Sequence, residues 1–295
     1  MSKVSVVQSP QSYQGTLQVL KPLEQSLVNQ LQDLKKIVIK INFVTTKNEL
    51  ATTPCDCVKA FVNFVKPFYS GKIIIAEEAS IGNTNQGFEK HGFNKIANDN
   101  PQVELFDSAN DKTTLIEVKY PHGTVTLPIS QIYLPSSYVV SICRAKTHDS
   151  VVVTLSLKNL LVGAIQGGLS SRGMIHQGQD INWILQQLAK HVYPNLSIID
   201  GVIGMQGNGP GGGDPIQANW LIASEDALAT DSLATYLMGF DIKDVGYLNL
   251  IKELNLGKLY PIDKLELLGQ TDLSSIKTIF KPHQTFLQQR QWKQQ

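Results

Sequence analysis

Two short apolar runs with one helical segment between them constrain the fold of this chain most strongly. Residues 37–44 and 72–76 are almost wholly apolar, as expected of strands that are covered on both faces of a sheet. Between them, Pro54 begins a segment with apolar residues at helical spacing, and Gly71 ends it. A strand, a helix and a strand in this order predict a βαβ unit in a parallel sheet.

The same alternation runs through the rest of the chain. It predicts further strands at residues 1–8, 103–106, 138–143, 196–199, 218–223 and 264–268, and helices at residues 17–34, 83–92, 181–192 and 244–254. A Pro-His-Gly turn joins residues 115–120 and 124–129 as a β-hairpin, and the glycine-rich residues 163–178 and 201–213 are predicted to be loops. The pattern predicts an α/β fold: a mainly parallel twisted sheet with helices on both faces, plus a small β-hairpin insertion.

The domain organisation follows from the same pattern. There is no internal repeat and no clear linker, so residues 1–295 form either a single α/β domain or two closely packed α/β lobes. Residues 108–135 are predicted to be a β-rich insertion, and residues 286–295 a polar tail that frays.

Composition excludes several classes of protein. The chain is 42% hydrophobic, which is too apolar for extended disorder, yet no apolar run reaches the roughly 18 residues of a spanning helix. A net charge of +1 argues against binding to nucleic acid or to a membrane surface. Three cysteines cannot build a disulfide framework, and the first residues lack the apolar core of a signal peptide. We therefore expect a cytoplasmic protein.

Polar side chains follow several of the predicted strands. Lys40 and Asn42 lie on one face near the end of the first core strand, and Glu77 and Glu78 end the next. Lys146 and His148 follow a third strand, and Asp200 ends a fourth. Ligands of open α/β sheets bind beyond the carboxyl ends of the strands. We therefore expect Lys40, Lys146, His148, Lys158 and Asp200 to converge on one cleft.

The sequence motifs that usually bind nicotinamide, flavin or iron–sulfur cofactors are absent from this chain or lie in the wrong context. Residues 207–212 match G-x-G-x-x-G, but a predicted strand rather than a helix follows, which argues against nicotinamide or flavin binding. The chain has no C-x-x-C, so it cannot by itself supply the usual cysteine ligands of an iron–sulfur cluster. A divalent metal held by His148, His176 and Asp200 remains an alternative.

A series of short motifs resembles a known family. The motifs are Lys40-Ile41-Asn42, Thr53-Pro54, Arg144-Ala145-Lys146-Thr147-His148, Leu157-Lys158-Asn159-Leu160, a lone His176, Asp200-Gly201, Gly207-Asn208-Gly209-Pro210 and Asp226-Ala227-Leu228-Ala229-Thr230-Asp231. In this order they resemble the uncharacterised family catalogued as domain of unknown function 362, over residues 37–257. Many relatives carry ferredoxin-like cysteine clusters; this chain, with Cys55, Cys57 and Cys143 alone, departs from them.

These observations lead to a functional hypothesis with two alternatives. We interpret the chain as an enzyme that acts on a small anionic metabolite by lysine and histidine acid–base chemistry. The alternatives are a redox accessory or cofactor-handling protein that works with an iron–sulfur partner, and an anion-binding protein without catalysis. The predicted catalytic residues are His148, His176, Lys146 and Asp200, and the predicted substrate-binding residues are Lys40, Asn42, Lys158, Asn159 and Asn208. Asp200 is expected to orient a histidine or a lysine.

Overall fold

A computed structural model of the chain describes residues 1–176 and 180–294. The end of the predicted glycine loop, at residues 177 and 178, and the last residue of the predicted tail lie outside the described residues. The strands are β1 (Lys3–Gln8), β2 (Lys36–Lys40), β3 (Lys72–Glu77), β4 (Val103–Asp107), β5 (Thr113–Tyr120), β6 (Gly123–Ser130), β7 (Tyr138–His148), β8 (Val152–Thr154), β9 (Leu196–Gln206), β10 (Asp214–Gln217), β11 (Trp220–Ser224) and β12 (Glu266–Gly269). The helices are α1 (Ser12–Leu20), α2 (Glu24–Leu31), α3 (Cys55–Val65), α4 (Thr84–Lys90), α5 (Phe93–Asp99), α6 (Ser156–Gly163), α7 (Gly168–Ile175), α8 (Ile181–Leu188), α9 (Ala227–Leu237), α10 (Gly246–Lys252), α11 (Leu273–Ile276) and α12 (Phe286–Gln289).

One large sheet organises the molecule, in the strand order β12-β1-β11-β9-β7-β2-β3-β4. The five strands from β9 to β4 are parallel, whereas β11 is antiparallel to both β9 and β1. Short antiparallel pairings add β10 to β9 and β8 to β7. The prediction of an α/β fold with a mainly parallel sheet is confirmed.

The sheet is covered on both faces because its strands alternate apolar residues between two cores. In β2, Ile37 and Ile39 pack with residues of α1, α2 and α3, whereas Val38 packs on the opposite face with residues of α6, α8 and α9. The predicted hairpin is also present, and β5 and β6 form a separate two-stranded sheet. Its residues Val118 and Leu127 are buried in the same core as Val38.

Several segments differ from the sequence-based expectations. The first core strand, expected over residues 37–44, ends at Lys40. β7 continues to His148 and β9 to Gln206, so both strands are longer than predicted. Within the glycine-rich stretch, residues 168–175 form α7 instead of a loop. The C-terminal residues 286–294 are helical, Arg290 and Lys293 both contact the Asp244 carboxylate, and Gln289 is buried.

Helices of the described chain are short. Among residues 1–176 and 180–294, no helix combines the length and the apolar character that a membrane crossing requires.

Candidate functional site

A cavity of about 240 Å³ opens where the parallel strands end. β7 contributes His148 to its wall, β3 contributes Glu77, and Asn42 follows β2. The opposite wall comes from α6 and α7. Its polar lining residues are Lys158, Asn159, Arg172 and His176. The carboxyl edge of the sheet thus holds a site made of strands β3, β7 and β8, the segment after β2, and helices α6 and α7.

A buried carboxylate fixes α6 at its first turn. Asp231, on α9, accepts hydrogen bonds from the backbone N–H groups of Ser156 and Leu157, both at 2.9 Å. These N–H groups have no acceptor within the helix, and the carboxylate also suits the positive end of the helix dipole. Asp231 therefore holds in place the helix that carries Lys158 and Asn159.

Lys40 forms an ion pair at the base of the cavity. Its Nζ lies 2.5 Å from Glu77 Oε2 and donates a second hydrogen bond to the Ile41 carbonyl at 2.5 Å. Both side chains are buried. Burial lowers the pKa of Lys40 and raises the pKa of Glu77, and the mutual attraction of the pair opposes both shifts. Lys40 is thus already engaged by a carboxylate of the protein.

Lys146 lies behind Asn42 and does not itself line the cavity. Its ammonium donates to Asn42 Oδ1 and approaches the Ala51 carbonyl at 3.5 Å. Burial, only partly offset by nearby acidic groups, lowers the pKa of Lys146 to about 7. Lys146 can therefore affect the cavity through Asn42 and through its field.

Lys158 and His176 form a direct pair in the cavity wall. Lys158 Nζ lies 3.2 Å from His176 Nε2, and the other ring nitrogen of His176 donates to the Arg172 carbonyl at 2.6 Å. Because a carbonyl can only accept, Nδ1 carries the proton of the neutral ring and Nε2 is the acceptor. Burial lowers the pKa of Lys158 to about 7 and that of His176 to about 4.

His148 stands beside this pair. Its ring stacks on the His176 ring with centroids 5.5 Å apart. His148 Nδ1 lies 3.0 Å from the Ser150 backbone nitrogen and 2.9 Å from Asp149 Oδ1. Burial, assisted by the charge of Lys158, lowers the pKa of His148 to about 3, so the ring is neutral near pH 7.

Arg172 is a site residue that the sequence reasoning missed. Its guanidinium donates to the Ile165 carbonyl (3.0 Å), the Glu78 carbonyl (2.6 Å), Ser80 Oγ (2.9 Å) and the Gly163 carbonyl (3.1 Å). It therefore ties α7 to the end of β3 and to α6. The signal that could have revealed it is the acidic pair Glu77-Glu78, since buried carboxylates need a cation nearby.

Two predicted site residues lie elsewhere. Asp200 is buried within β9, not at its end, and it accepts a hydrogen bond from the Val202 N–H at 2.9 Å. Burial raises its pKa, and a hydrogen bond with Ser12 opposes that shift. Asp200 therefore does not orient a histidine or lysine of the cavity. Asn208 is exposed, and its loop contributes Pro210 to the cavity instead.

The cofactor alternatives can be compared with this geometry. The glycine loop joins β9 to the antiparallel strand β10, so it does not open a helix toward a phosphate. Because Asp200 lies elsewhere, the proposed set of three metal ligands is reduced to His148 and His176. Across the described ranges 1–176 and 180–294, no three His, Cys, Asp or Glu side chains are grouped as metal ligands would be.

Comparisons with known proteins extend the description. The family model "Domain of unknown function (DUF362)" matches residues 37–236. Over 257 residues the chain is 27% identical to the Thylakoid-associated protein sll1697 of Synechocystis sp. (strain ATCC 27184 / PCC 6803 / Kazusa), a match that covers 82% of this chain and 76% of that protein. A crystal structure of a protein from Thermotoga maritima matches with 10% identity and a TM-score of 0.41. That match covers 80% of this chain but only 59% of the Thermotoga chain.

Proposed function

This chain belongs to the DUF362 family, and we propose that it is an enzyme that binds a small anionic metabolite in the cavity and moves protons with Lys158 and His176. The observation that carries the proposal is the contact of 3.2 Å between Lys158 Nζ and His176 Nε2. It joins an ammonium group to a neutral imidazole acceptor inside a cavity. Reactions that require proton transfer, such as elimination or group transfer, suit this pair.

The charge of Lys158 supports the anionic nature of the ligand. The side chain is only 4% exposed. In the described parts of the chain, no carboxylate forms an ion pair with its Nζ, and the Asp149 carboxylate attracts it only from a greater distance. A buried ammonium without a counter-ion is costly, and a carboxylate or phosphate in the cavity would supply the missing charge. Such an anion would raise the pKa of Lys158 and favour its charged form.

His176 and His148 are the proton carriers of the proposal. The His176 ring is held by the Arg172 carbonyl, so that Nε2 faces Lys158 with a free electron pair. Both rings are neutral near pH 7, so each has a ring nitrogen that can take a proton from a bound substrate during the reaction. Asn42 and Asn159 also line the cavity and would orient the ligand with their amides.

Calorimetry with phosphate, sulfate and pyruvate tests the proposal on matched lysine variants. Lys158→Met should weaken anion binding about tenfold to a hundredfold, because a charge-assisted hydrogen bond contributes about 1.5–3 kcal/mol. Lys190→Met is the control, since Lys190 is exposed and contacts Gln187 at 2.6 Å. Equal effects of both substitutions, or the absence of anion binding to the unmodified protein, would reject the proposal.

The cellular setting is part of the proposal. We infer a cytoplasmic protein that binds neither nucleic acid nor a membrane. A net charge of +1 supports this, as do the free thiols of Cys55, Cys57 and Cys143. Cell fractionation at low salt tests the location, with recovery expected in the soluble fraction. Recovery with membranes would contradict it and would agree with the name of the Synechocystis relative.

A further inference from the structure

The cavity holds one lysine in the arrangement of a nucleophile. We propose that Lys158 forms an imine with a small aldehyde or keto acid that enters this cavity. This inference rests on the proposed function, since it assigns the substrate class of the same site. Its first support is access: Lys158 lines the cavity of about 240 Å³, a space that admits a compact metabolite.

The other lysines near the cavity are not suited to this role. Lys40 is bound by Glu77 and by the Ile41 carbonyl, so its electron pair is blocked by a proton that the ion pair stabilises. Lys146 lies outside the cavity lining and donates to Asn42. Lys158 alone among these three combines contact with the cavity and a neutral partner.

The contacts of Lys158 favour a neutral amine. Its described hydrogen-bond partner is the uncharged imidazole nitrogen of His176, which brings no negative charge to hold a proton on the amine. Burial, opposed by the charge of Asp149 and assisted by that of Arg172, lowers the pKa of Lys158 to about 7, so a large fraction of the amine is unprotonated at neutral pH. Buried lysines next to a second cation are activated in this way for attack on carbonyl carbons.

Two of the described residues that line the cavity each have a buried polar atom without a hydrogen-bond partner. Within the residues that the structure describes, Thr154 Oγ1 and Asn159 Oδ1 are buried and have no hydrogen-bond partner. Both residues line the cavity. Buried polar atoms are seldom left without partners, so a ligand or water should satisfy them. The Thr154 hydroxyl can donate to a carboxylate, and Asn159 Oδ1 can accept from a hydroxyl group.

The step balances without an external reactant. Lys158 Nζ attacks the carbonyl carbon, a C–N bond forms, and the π electrons of the carbonyl move to its oxygen. The nitrogen loses a proton to His176 Nε2, and His176 returns it to the oxygen of the carbinolamine. The nitrogen lone pair then forms the C=N bond and expels the hydroxyl group, which leaves as water with the remaining N–H proton, so the C–O bond breaks and the imine remains. No group is oxidised or reduced. Hydrolysis reverses the step.

Reductive trapping tests the inference. The full chain is incubated with glyoxylate or pyruvate and sodium cyanoborohydride at pH 7, and adducts are located by peptide mass mapping. We expect Lys158 to be modified more than tenfold faster than Lys190. The reason is that about half of an amine with a pKa near 7 is neutral at that pH, against about one in a thousand for an ordinary lysine.

Lys158→Arg is the matched variant, since it retains the positive charge and removes the nucleophile. This variant should lose the adduct while its circular dichroism spectrum stays unchanged. If the variant does not fold, a competition experiment on the unmodified protein takes its place, and excess phosphate should then suppress the labelling. Calorimetric binding of pyruvate without a Lys158 adduct would overturn the imine and leave the proposed function standing. No binding and no adduct would overturn both. Preferential labelling of Lys146 or of Lys190 would also overturn the imine.

Discussion

At the scale of single residues, Gly163 decides whether the buried ion pair at the base of the cavity can form. A Cβ atom at this position would overlap Lys40 Cε and Nζ. The end of a lysine side chain is normally flexible, but this one is enclosed and bound to Glu77. A methyl group here would therefore separate two buried charges, and the unpaired carboxylate would carry the desolvation cost.

Gly163→Ala should accordingly destabilise the protein. We expect a loss of about 1–3 kcal/mol in the free energy of unfolding, measured by urea denaturation. Gly173→Ala is the matched control in the neighbouring helix α7, because a Cβ there has no atom within 4 Å. It should be neutral or stabilise by about 0.5–1 kcal/mol, since alanine favours helices. A destabilisation by Gly173→Ala as large as that by Gly163→Ala would contradict this explanation.

The same scale shows which site residues a sequence can reveal. Lys158 and Asn159 lie in a short polar motif between apolar neighbours, and such a motif stands out. Asp200 is equally conspicuous, but it lies within β9 and not at its end, because the strand continues for six residues beyond it. Arg172 was not found, since its four acceptors come from segments that are distant in sequence.

At the scale of elements, tertiary contacts override the local pattern in two places. Arg144, Lys146 and His148 alternate along β7, and all three are buried. Because these side chains are polar, hydropathy does not predict the second half of the strand. Glycines in residues 163–178 predict a loop, but Arg172 anchors α7 there by side-chain hydrogen bonds. The strands β2 and β3 are predictable because their central residues are apolar and pack into a hydrophobic core on each face of the sheet.

The C-terminal segment is an element that stabilises the cavity from outside. Gln289 donates to the His148 carbonyl at 2.9 Å, and its Oε1 accepts from the Val152 N–H. Thr285 Oγ1 donates to the Asp149 carbonyl at 2.6 Å. These contacts hold the turn between β7 and β8, in which Val152 has an unfavourable positive φ of 68°. The turn also carries His148 and Asp149 to the cavity.

Gln289→Ala tests this role. It leaves a buried carbonyl and a buried N–H without their partner, which should lower the free energy of unfolding by about 1–3 kcal/mol. The exposed Gln291 provides the control, and Gln291→Ala should change stability by less than about 0.5 kcal/mol. Urea denaturation gives both values. Equal midpoints for the two variants would show that the segment does not support the turn.

At the scale of the whole molecule, the sheet places buried cations on the side where the strands end. The two apolar cores that cover its faces hold the parallel strands together, and the polar residues lie beyond them. This arrangement was predictable from the positions of the strands along the sequence. The depth of the site was not, because burial of Lys146 and Lys158 arises from α6, α7 and the segment after β2 packing together.

Burial of these lysines makes the stability of the whole molecule depend on pH. The pKa of Lys158 is about 7 in the folded protein and about 10.4 in an unfolded chain. Between these values the unfolded chain binds more protons, so the free energy of unfolding should rise with pH. The slope is at most about 1.4 kcal/mol per pH unit for each such lysine. Lys146 contributes a similar slope.

Buried Cys57 and Cys143, whose pKa values are raised by burial, oppose the trend above about pH 8.5, where unfolded thiols ionise.

Urea denaturation between pH 7 and 8.5 isolates the lysine contribution. Lys158→Met should reduce the slope by about 1 kcal/mol per pH unit and leave the share of Lys146, while the exposed control Lys190→Met should keep the original slope. Because Met removes a buried charge that lacks a carboxylate partner, the Lys158 variant should also be more stable than the unmodified protein at pH 7. If the two variants and the unmodified protein gave parallel lines, Lys158 would carry an ordinary pKa. The cavity would then hold a solvated ammonium group. Lys158 would be neither a neutral amine nor a buried charge that needs a counter-ion.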